Sequence, residues 1–353
     1  MIDVRIYLII IIIISIKIII CESSIVRRKV IVLDGNMDSI GVKILQDNNF
    51  EVCNNSYELQ QIPDILPDYD VLVVRSATKI NENLLRNCGN QQKSKLRLIG
   101  RAGVGLDNIN LKLTKEMNIN VINTPTANSR SVAEMVFAHI FTLSRSLHLS
   151  NQEMKLNPTS FTSIKKLYAK SNFELYGKKI GIIGAGVIGK EVARMAIGMG
   201  LEVLIHDYKG RDIEIGLNSV YSKLQDIKIS LSSQPLSTVL SSSDIITLHT
   251  AGKTEIIGTK ELSEMKKGTM LINCARGGVV NEQALLDAIS NGYIKHIGLD
   301  VFLDEQPSEE DSTSYNLIKN PLISTSPHIG ASTKEAQQRV AFELANGIVN
   351  FFK

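Results

Sequence analysis

Arg276, Glu305 and His328 stand in three separate polar stretches, each following an apolar run of strand length. Together they offer what the oxidation of a hydroxy acid requires. A guanidinium holds a carboxylate or polarises a carbonyl through paired hydrogen bonds. An imidazole takes the hydroxyl proton near neutral pH. A carboxylate beside it favours the charged imidazole and fixes its tautomer. Taken singly, each has a plainer reading: Arg276 as a turn cap, Glu305 as a solvated loop acid, His328 as a helix-entry residue. Their joint placement at strand ends is what argues for chemistry.

A redox partner for these groups is written upstream. The run Gly184-Ala-Gly186-Val-Ile-Gly189 follows the apolar strand Lys179–Ile183 and opens a helix with Ile188, Val192 and Ala196 on one face. Gly200 ends that helix, and a second apolar strand ends in Asp207. An acid about twenty residues past the glycines is the spacing of a dinucleotide-binding βαβ unit. Gly184 permits the tight turn, Gly186 lets backbone amides approach a pyrophosphate, and Gly189 lets helix and strand pack closely. The helix N-terminus adds unpaired N–H groups and the positive end of a dipole. Asp207 would accept hydrogen bonds from an adenosine ribose and repel a 2′-phosphate, which favours NAD over NADP. The plainer alternative is a glycine-rich turn in an ordinary α/β domain.

The elements that must position these residues alternate along the whole chain. Strands are expected at 29–33, 50–53, 71–75, 96–99 and 119–122, with helices at 39–46 and 82–87 between them. The second half repeats the pattern with strands at 179–183, 201–206, 245–248, 270–274, 297–301 and 322–325. Helices are expected there at 189–199, 261–266, 282–290 and 332–352. Such alternation predicts α/β architecture, two doubly wound parallel-sheet domains with the reactive cleft at the carboxyl ends of the strands, between the lobes. Residues 128–155 read as one long helix with Val132, Val136, Ile140 and Leu143 on one face. Residues 218–243 are serine-rich and read as a variable connection, and 306–315 as an exposed acidic loop.

A length of 353 residues suits two domains. A net charge of +3 gives no argument for nucleic acid, and no dense basic block occurs. Cys21, Cys53, Cys88 and Cys274 are scattered, without metal-ligand spacing, so neither a metal site nor a disulfide framework is expected. Residues 6–20 form an isoleucine-rich run broken by Lys17, short for a membrane span of about twenty residues. It is a secretory h-region, an anchor, or a stretch preceding the true start. Residues 1–28 are expected to lie outside the fold. A cytoplasmic location is expected, with a secretory or membrane-anchored one as the alternative.

Several blocks carry a family resemblance: Arg75-Ser-Ala-Thr-Lys79, Gly100-Arg-Ala-Gly-Val-Gly-Leu-Asp-Asn108, Asn123–Glu134, Asn273-Cys-Ala-Arg-Gly-Gly278, Leu299-Asp-Val-Phe302 and Pro327–Ala336. From about Lys29 onward the chain resembles the D-isomer-specific 2-hydroxyacid dehydrogenases, most closely their phosphoglycerate-oxidising branch. The resemblance implies a Rossmann NAD-binding domain at 127–324 inserted in a flavodoxin-like substrate-binding domain made of 29–126 and 325–353. It implies that Arg276, Glu305 and His328 are the catalytic group. It implies NAD contacts at Val187, Ile188, Asp207, Thr250, Cys274, Ala275, Asp300 and the Gly330–Ala331 turn, besides Gly184, Gly186 and Gly189. A homodimer is implied, its long helix from Asn128 packed against its mate. Arg75, Lys79 and Arg101, with Ser76, place cations at first-half strand ends and suit a substrate bearing carboxylate and phosphate. Backbone amides near Gly103 would take the carboxylate, and Arg145 is a further candidate that would reach the partner's site. A solvated salt-bridge face is the alternative for the cations.

The implied reaction is NAD-dependent oxidation of 3-phospho-D-glycerate to 3-phosphohydroxypyruvate, the entry step of serine synthesis. A glyoxylate or hydroxypyruvate reductase is the alternative enzyme, and a dinucleotide-sensing corepressor-like protein the alternative of another class. The chain departs from the family at three places: Ala251-Gly252-Lys253 is a shortened loop without the usual proline, Val104 stands where threonine is frequent, and Gln306 replaces a proline beside Glu305. No regulatory domain is expected after Lys353.

Overall fold

Strands buried on both faces need helices on both sides, and Val71–Val74, Ile245–Leu248 and Met270–Asn273 are buried at every position. The computed structural model describes residues 27–54, 57, 61–87, 94–217, 227–308, 310 and 312–353. The apolar run at 6–20 lies outside them. No described helix is long and apolar enough to cross a membrane. The chain divides into two units, one of residues 1–102, 108–123 and 341–353, the other of 103–107 and 124–340.

In the first unit, β1 (Arg28–Val32), β2 (Phe50–Cys53), β3 (Val71–Val74), β4 (Leu98–Arg101) and β5 (Asn120–Asn123) form a parallel sheet in the order β2-β1-β3-β4-β5. This is the flavodoxin-like order, with the switch point between β1 and β3. The connecting helices are α1 (Ser39–Asp47), α2 (Ile62–Ile65), α3 (Glu82–Asn87) and α4 (Leu111–Glu116). The Asp38 side chain caps α1 at the Ile40 N–H, and Asn110 caps α4 at the Leu113 N–H. Val30, Val71 and Leu98 from the strands pack with Leu344, Ala345 and Ile348 of the C-terminal helix.

The second unit opens with α5 (Ser129–Ser144), α6 (Leu147–Leu156) and α7 (Phe161–Ala169). Then come β6 (Lys179–Ile183), α8 (Val187–Gly198), β7 (Glu202–His206), β8 (Asp212–Gly216), β9 (Lys228–Ser232) and α9 (Leu236–Ser242). They are followed by β10 (Ile245–Leu248), α10 (Thr259–Glu264), β11 (Met270–Asn273), α11 (Glu282–Ser290) and β12 (His296–Leu299). The unit closes with α12 (Thr313–Lys319), β13 (Ile323–Thr325) and the start of α13 (Lys334–Phe352). The main sheet runs β13-β12-β11-β10-β6-β7, all parallel. One apolar layer joins α5 and α8 to it through Val136, Ile140, Val192, Ala196 and Ile272. The opposite layer joins Leu240, Leu262, Leu285 and Leu317 to Ile246, Leu248 and Leu271. The sheet is doubly wound, as the alternation of elements requires.

Five expectations need correction. The helix expected over 128–155 is two helices, because Ser146 takes a left-handed backbone (φ 48°) and the Phe173 N–H occupies the Ser144 carbonyl. The serine-rich connection is ordered where described: β8 and β9 pair antiparallel, burying Ile213 and Ile215, and α9 follows. Beyond β7 the sheet is extended, among the described residues, by a single parallel bridge between Ile205 and Ser233. The acidic loop expected to run to 315 ends in α12, whose Ser312 side chain caps the Tyr315 N–H. The units also divide differently from the expected 126/127 and 324/325. Residues 103–107 and the chain as far as Val340 belong with the nucleotide-type sheet, since the turn after β13 is bonded to Asp300 after β12. Arg28, placed outside the fold from the sequence, opens β1.

Candidate active site

Backbone register brings the site residues to one rim of the second sheet. His206, Ile183, Leu248, Asn273, Leu299 and Thr325 pair in a single row across the six strands. The glycine turn, Asp207, Thr250, Cys274–Arg276, Asp300–Glu305 and His328 all lie just past that row. Carboxyl ends of parallel strands are where ligands bind in such sheets.

Gly184 and Gly189 have the tight turn and the close backbone approach expected from their spacing. Gly184 has φ +100°, and a Cβ there would sit 2.5 Å from the His249 carbonyl oxygen. A Cβ on Gly189 would come within 2.0 Å of the Gly184 oxygen, so helix and turn touch at backbone level. At Gly186 a Cβ would meet nothing within 4 Å, which leaves open space over the start of α8. Asp207 is nearly buried, and its carboxylate accepts the Ala185 and Lys209 N–H groups at 3.2 and 3.0 Å. The Ser233 hydroxyl bonds both the Asp207 N–H and its carbonyl, fixing the acid at the strand end. The Thr250 hydroxyl is buried without a hydrogen-bond partner among the described residues. Open space at a helix N-terminus, a fixed acid and an unpartnered hydroxyl are the features a dinucleotide would complete.

Asn273 forms the turn that carries Arg276. Its side-chain oxygen accepts the Ala275 N–H at 3.0 Å, and its amide donates to the Arg276 carbonyl at 2.9 Å. Burial pushes the Cys274 thiol up, so it stands at the site as a neutral thiol. Arg276 Nε donates to Asp107 Oδ2 at 2.8 Å. Burial pushes the Asp107 carboxyl up, but the hydrogen bond and charge of Arg276, with the charge of Lys253, hold it below its ordinary value.

His328 Nδ1 lies 2.8 Å from Glu305 Oε1, both side chains remaining partly exposed. Two devices hold this pair. On the Glu305 side, the buried Glu282 carboxylate accepts the Leu303 N–H and the Ser314 hydroxyl, each at 2.6 Å. Ser314 in turn accepts the Asp304 N–H at 3.1 Å. On the His328 side, Asp300 accepts from the Ser326 hydroxyl (2.6 Å), the Ile329 N–H (2.9 Å) and the Gly330 N–H (2.8 Å). His328 itself has φ +53°, a conformation costly for any side chain other than glycine.

In the first unit, Asp34 accepts the Arg75 and Thr78 N–H groups at 2.9 and 3.0 Å as well as the Thr78 hydroxyl. The Asn108 amide donates to the Arg75 and Thr78 carbonyls at 2.8 and 2.7 Å. The loop bearing Arg75, Ser76 and Lys79 is thus clasped from both sides, with Ser76 and Lys79 exposed. Arg101 donates to the Ala102 carbonyl at 3.3 Å. Gly103, expected with these substrate groups, falls in the second unit, where its carbonyl accepts the Thr124 N–H.

The family model described as D-isomer specific 2-hydroxyacid dehydrogenase, NAD binding domain, matches residues 137–330. The hydroxypyruvate reductase of Thermotoga maritima is 35% identical over 308 residues, 86% of this chain and 92% of that protein. The chain belongs to the D-isomer specific 2-hydroxyacid dehydrogenases. The D-3-phosphoglycerate dehydrogenase of Bacillus subtilis is 36% identical over 327 residues, which are 92% of this chain and 57% of that protein. The chain thus spans about half the length of the phosphoglycerate dehydrogenases it matches, 48–57% of each. A solved D-lactate dehydrogenase from Aquifex aeolicus, complexed with NAD and lactic acid, is similar with a TM-score of 0.69 at 25% identity. The similarity covers 92% of this chain and 95% of that one.

Reading residue types alone misses the supporting set of this family member: Asp34, Asn108, Asp107, Asn273 and Glu282. Asp107, Asn108 and Asn273 sit inside the quoted motif blocks, which is a usable signal. Asp34 and Glu282 carry none, because their partners are backbone N–H groups and hydroxyls far along the chain.

Proposed function

We propose that the protein interconverts a D-2-hydroxy acid and its 2-keto acid with NAD, with 3-phospho-D-glycerate and 3-phosphohydroxypyruvate as the substrate pair. The observation that carries this reading is the Glu305–His328 pair at 2.8 Å, on the strand ends next to Arg276 and in register with the glycine turn. Gly184–Gly189 and the first turn of α8 would hold the pyrophosphate, Asp207 the adenosine ribose, and Thr250 would donate its free hydroxyl. When bound, the nicotinamide supplies the hydride-transfer chemistry. His328 removes the hydroxyl proton in oxidation and returns it in reduction, while Glu305 holds its Nδ1 and stabilises the charged ring. Arg276 orients the substrate carboxyl and keto oxygen by paired hydrogen bonds, leaving Asp107 to do so. Arg75, Lys79 and Arg101, with Ser76 and the backbone at Gly103, bind the phosphate and carboxylate. We further propose a homodimer in the cytoplasm, built on α5–α7, where Phe141, Leu147, Leu156, Phe161 and Leu167 stay exposed.

The test is consumption of NADH with phosphohydroxypyruvate beside hydroxypyruvate and glyoxylate. A kcat/KM at least tenfold higher for the phosphorylated acid is expected, and equal values would defeat the phosphate assignment. The similarity to a hydroxypyruvate reductase supports a second reading, in which hydroxypyruvate is preferred. NADH binding without turnover of any acid would support a dinucleotide sensor instead.

A further inference from the structure

The α5 helix aligns three side chains, one turn apart, along the segment that carries His328. The Ser131 hydroxyl donates to the Gly330 carbonyl at 2.7 Å. Met135 lies against Ser326 and Gly330. His139, nearly buried, places Nδ1 2.8 Å from Ser324 Oγ and Nε2 3.0 Å from Ser326 Oγ. The sheet is shaped to admit this ring: a Cβ on Gly298 of β12 would lie 2.8 Å from the His139 Cβ. Nothing in the proposed reaction uses His139, yet both its nitrogens are satisfied inside an otherwise apolar layer.

Proton bookkeeping gives the network a direction. Three donors converge on the Asp300 carboxylate, so the single Ser326 hydroxyl proton goes to Oδ1 at 2.6 Å. The Ser326 oxygen is then an acceptor toward Nε2, which must carry the imidazole proton. Nδ1 is left bare and accepts a hydrogen bond from the Ser324 hydroxyl. The chain runs one way: Ser324 to His139, His139 to Ser326, Ser326 to Asp300. Burial lowers the pKa of the ring, in keeping with the neutral form.

We propose that His139 is a positioning residue: through Ser326 and Asp300 it holds the 326–330 turn, and with it His328, in the left-handed conformation from which the His328 ring meets Glu305. The proposal rests on the reading of His328 as the acid/base group. Without the Nε2 donor, Ser326 loses the partner that fixes its hydroxyl, and the turn relaxes toward ordinary φ values. A displacement of about 1 Å at a catalytic group costs on the order of a hundredfold in rate.

The test compares His139→Leu, which removes both hydrogen bonds, with His139→Gln, whose amide keeps a donor toward Ser326. With NADH and the keto acid that the unaltered protein turns over best, His139→Leu should lower kcat roughly ten- to hundredfold. Its Kd for NADH should stay within about twofold, and His139→Gln should recover most of the loss. A His139→Leu kcat within about twofold of the parent would overturn the proposal. So would equal losses in both variants that track a drop in melting temperature and NADH binding. Should His139→Leu not fold, Ser326→Ala must give the same separation of kcat from NADH binding. If the unaltered protein turns over no acid, the functional reading has failed, and ring-nitrogen NMR still decides the network. His139 should then read as the neutral Nε2–H tautomer, and Ser326→Ala should shift the His328 ring signals; unshifted His328 signals overturn the proposal.

Discussion

Gly186 and Gly189 are three residues apart and chemically identical, yet alanine should affect them through different quantities. At Gly189 the added methyl would lie 2.0 Å from the Gly184 oxygen, a backbone atom that cannot rotate away. Overpacking of this kind costs about 1–3 kcal/mol or more, which lowers Tm by roughly 2–4 °C per kcal/mol in a domain this large. At Gly186 the methyl enters open space, and φ −67°, ψ −171° is extended backbone open to any residue. Alanine is a poorer cap than glycine there by up to about 1 kcal/mol, offset by about 0.4–1 kcal/mol of reduced freedom in the unfolded chain. The Tm of Gly186→Ala should therefore stay within about 3 °C of the parent. In the proposed cofactor site that open space is where the pyrophosphate would approach the amides. Losing even one charge-assisted hydrogen bond, about 1.5–3 kcal/mol, raises Kd for NADH roughly ten- to over a hundredfold. Thermal melts of the apo protein and NADH fluorescence titrations measure the two effects separately. If Gly186→Ala binds NADH within about twofold of the parent, or melts lower than Gly189→Ala, the assignment of the glycines is wrong.

Glu305→Gln keeps the size of the side chain but removes the carboxylate charge that faces His328 Nδ1; under the proposed reaction kcat should fall roughly a hundredfold or more with NADH affinity intact, read from steady-state rates and fluorescence titration. Acid should destabilise the fold from a defined point: burial pushes the His249 pKa down to about 3, and burial also lowers those of His139, His148 and His296. Above about pH 6.5 both folded and unfolded states are neutral at these rings and nothing is lost. As pH falls toward 3 only the unfolded chain takes up the His249 proton, so urea denaturation should show stability dropping by about 1.4 kcal/mol per pH unit for that ring. In His249→Gln this slope should be shallower by that amount. For the proposed dimer, Leu156→Lys with Phe161→Lys places two charges among exposed apolar side chains of α6 and α7, and light scattering should then record a monomer where the parent is a dimer.

Much of this protein is legible from local order along the chain. Strand-length apolar runs alternating with amphipathic helices define two parallel sheets, because a strand buried on both faces can carry no polar alternation. The roles proposed for Gly184, Gly186, Gly189 and Asp207 rest on spacing, since each is a demand of local backbone geometry or of one βαβ unit. Arg276, Glu305 and His328 are proposed for chemistry because they stand after strands, and parallel register places those strand ends on a common rim. The break at Ser146, the antiparallel pairing of β9 in the serine-rich stretch with β8 and the division of the units at 340/341 were decided by contacts between residues apart in sequence. The same holds for the groups that brace the candidate site. Glu282 reaches Leu303, Asp107 reaches Arg276, and His139 reaches Ser324 and Ser326 across nearly two hundred residues. A buried polar side chain takes its meaning from the partner that satisfies it, and that partner is supplied by the packing of helix on sheet.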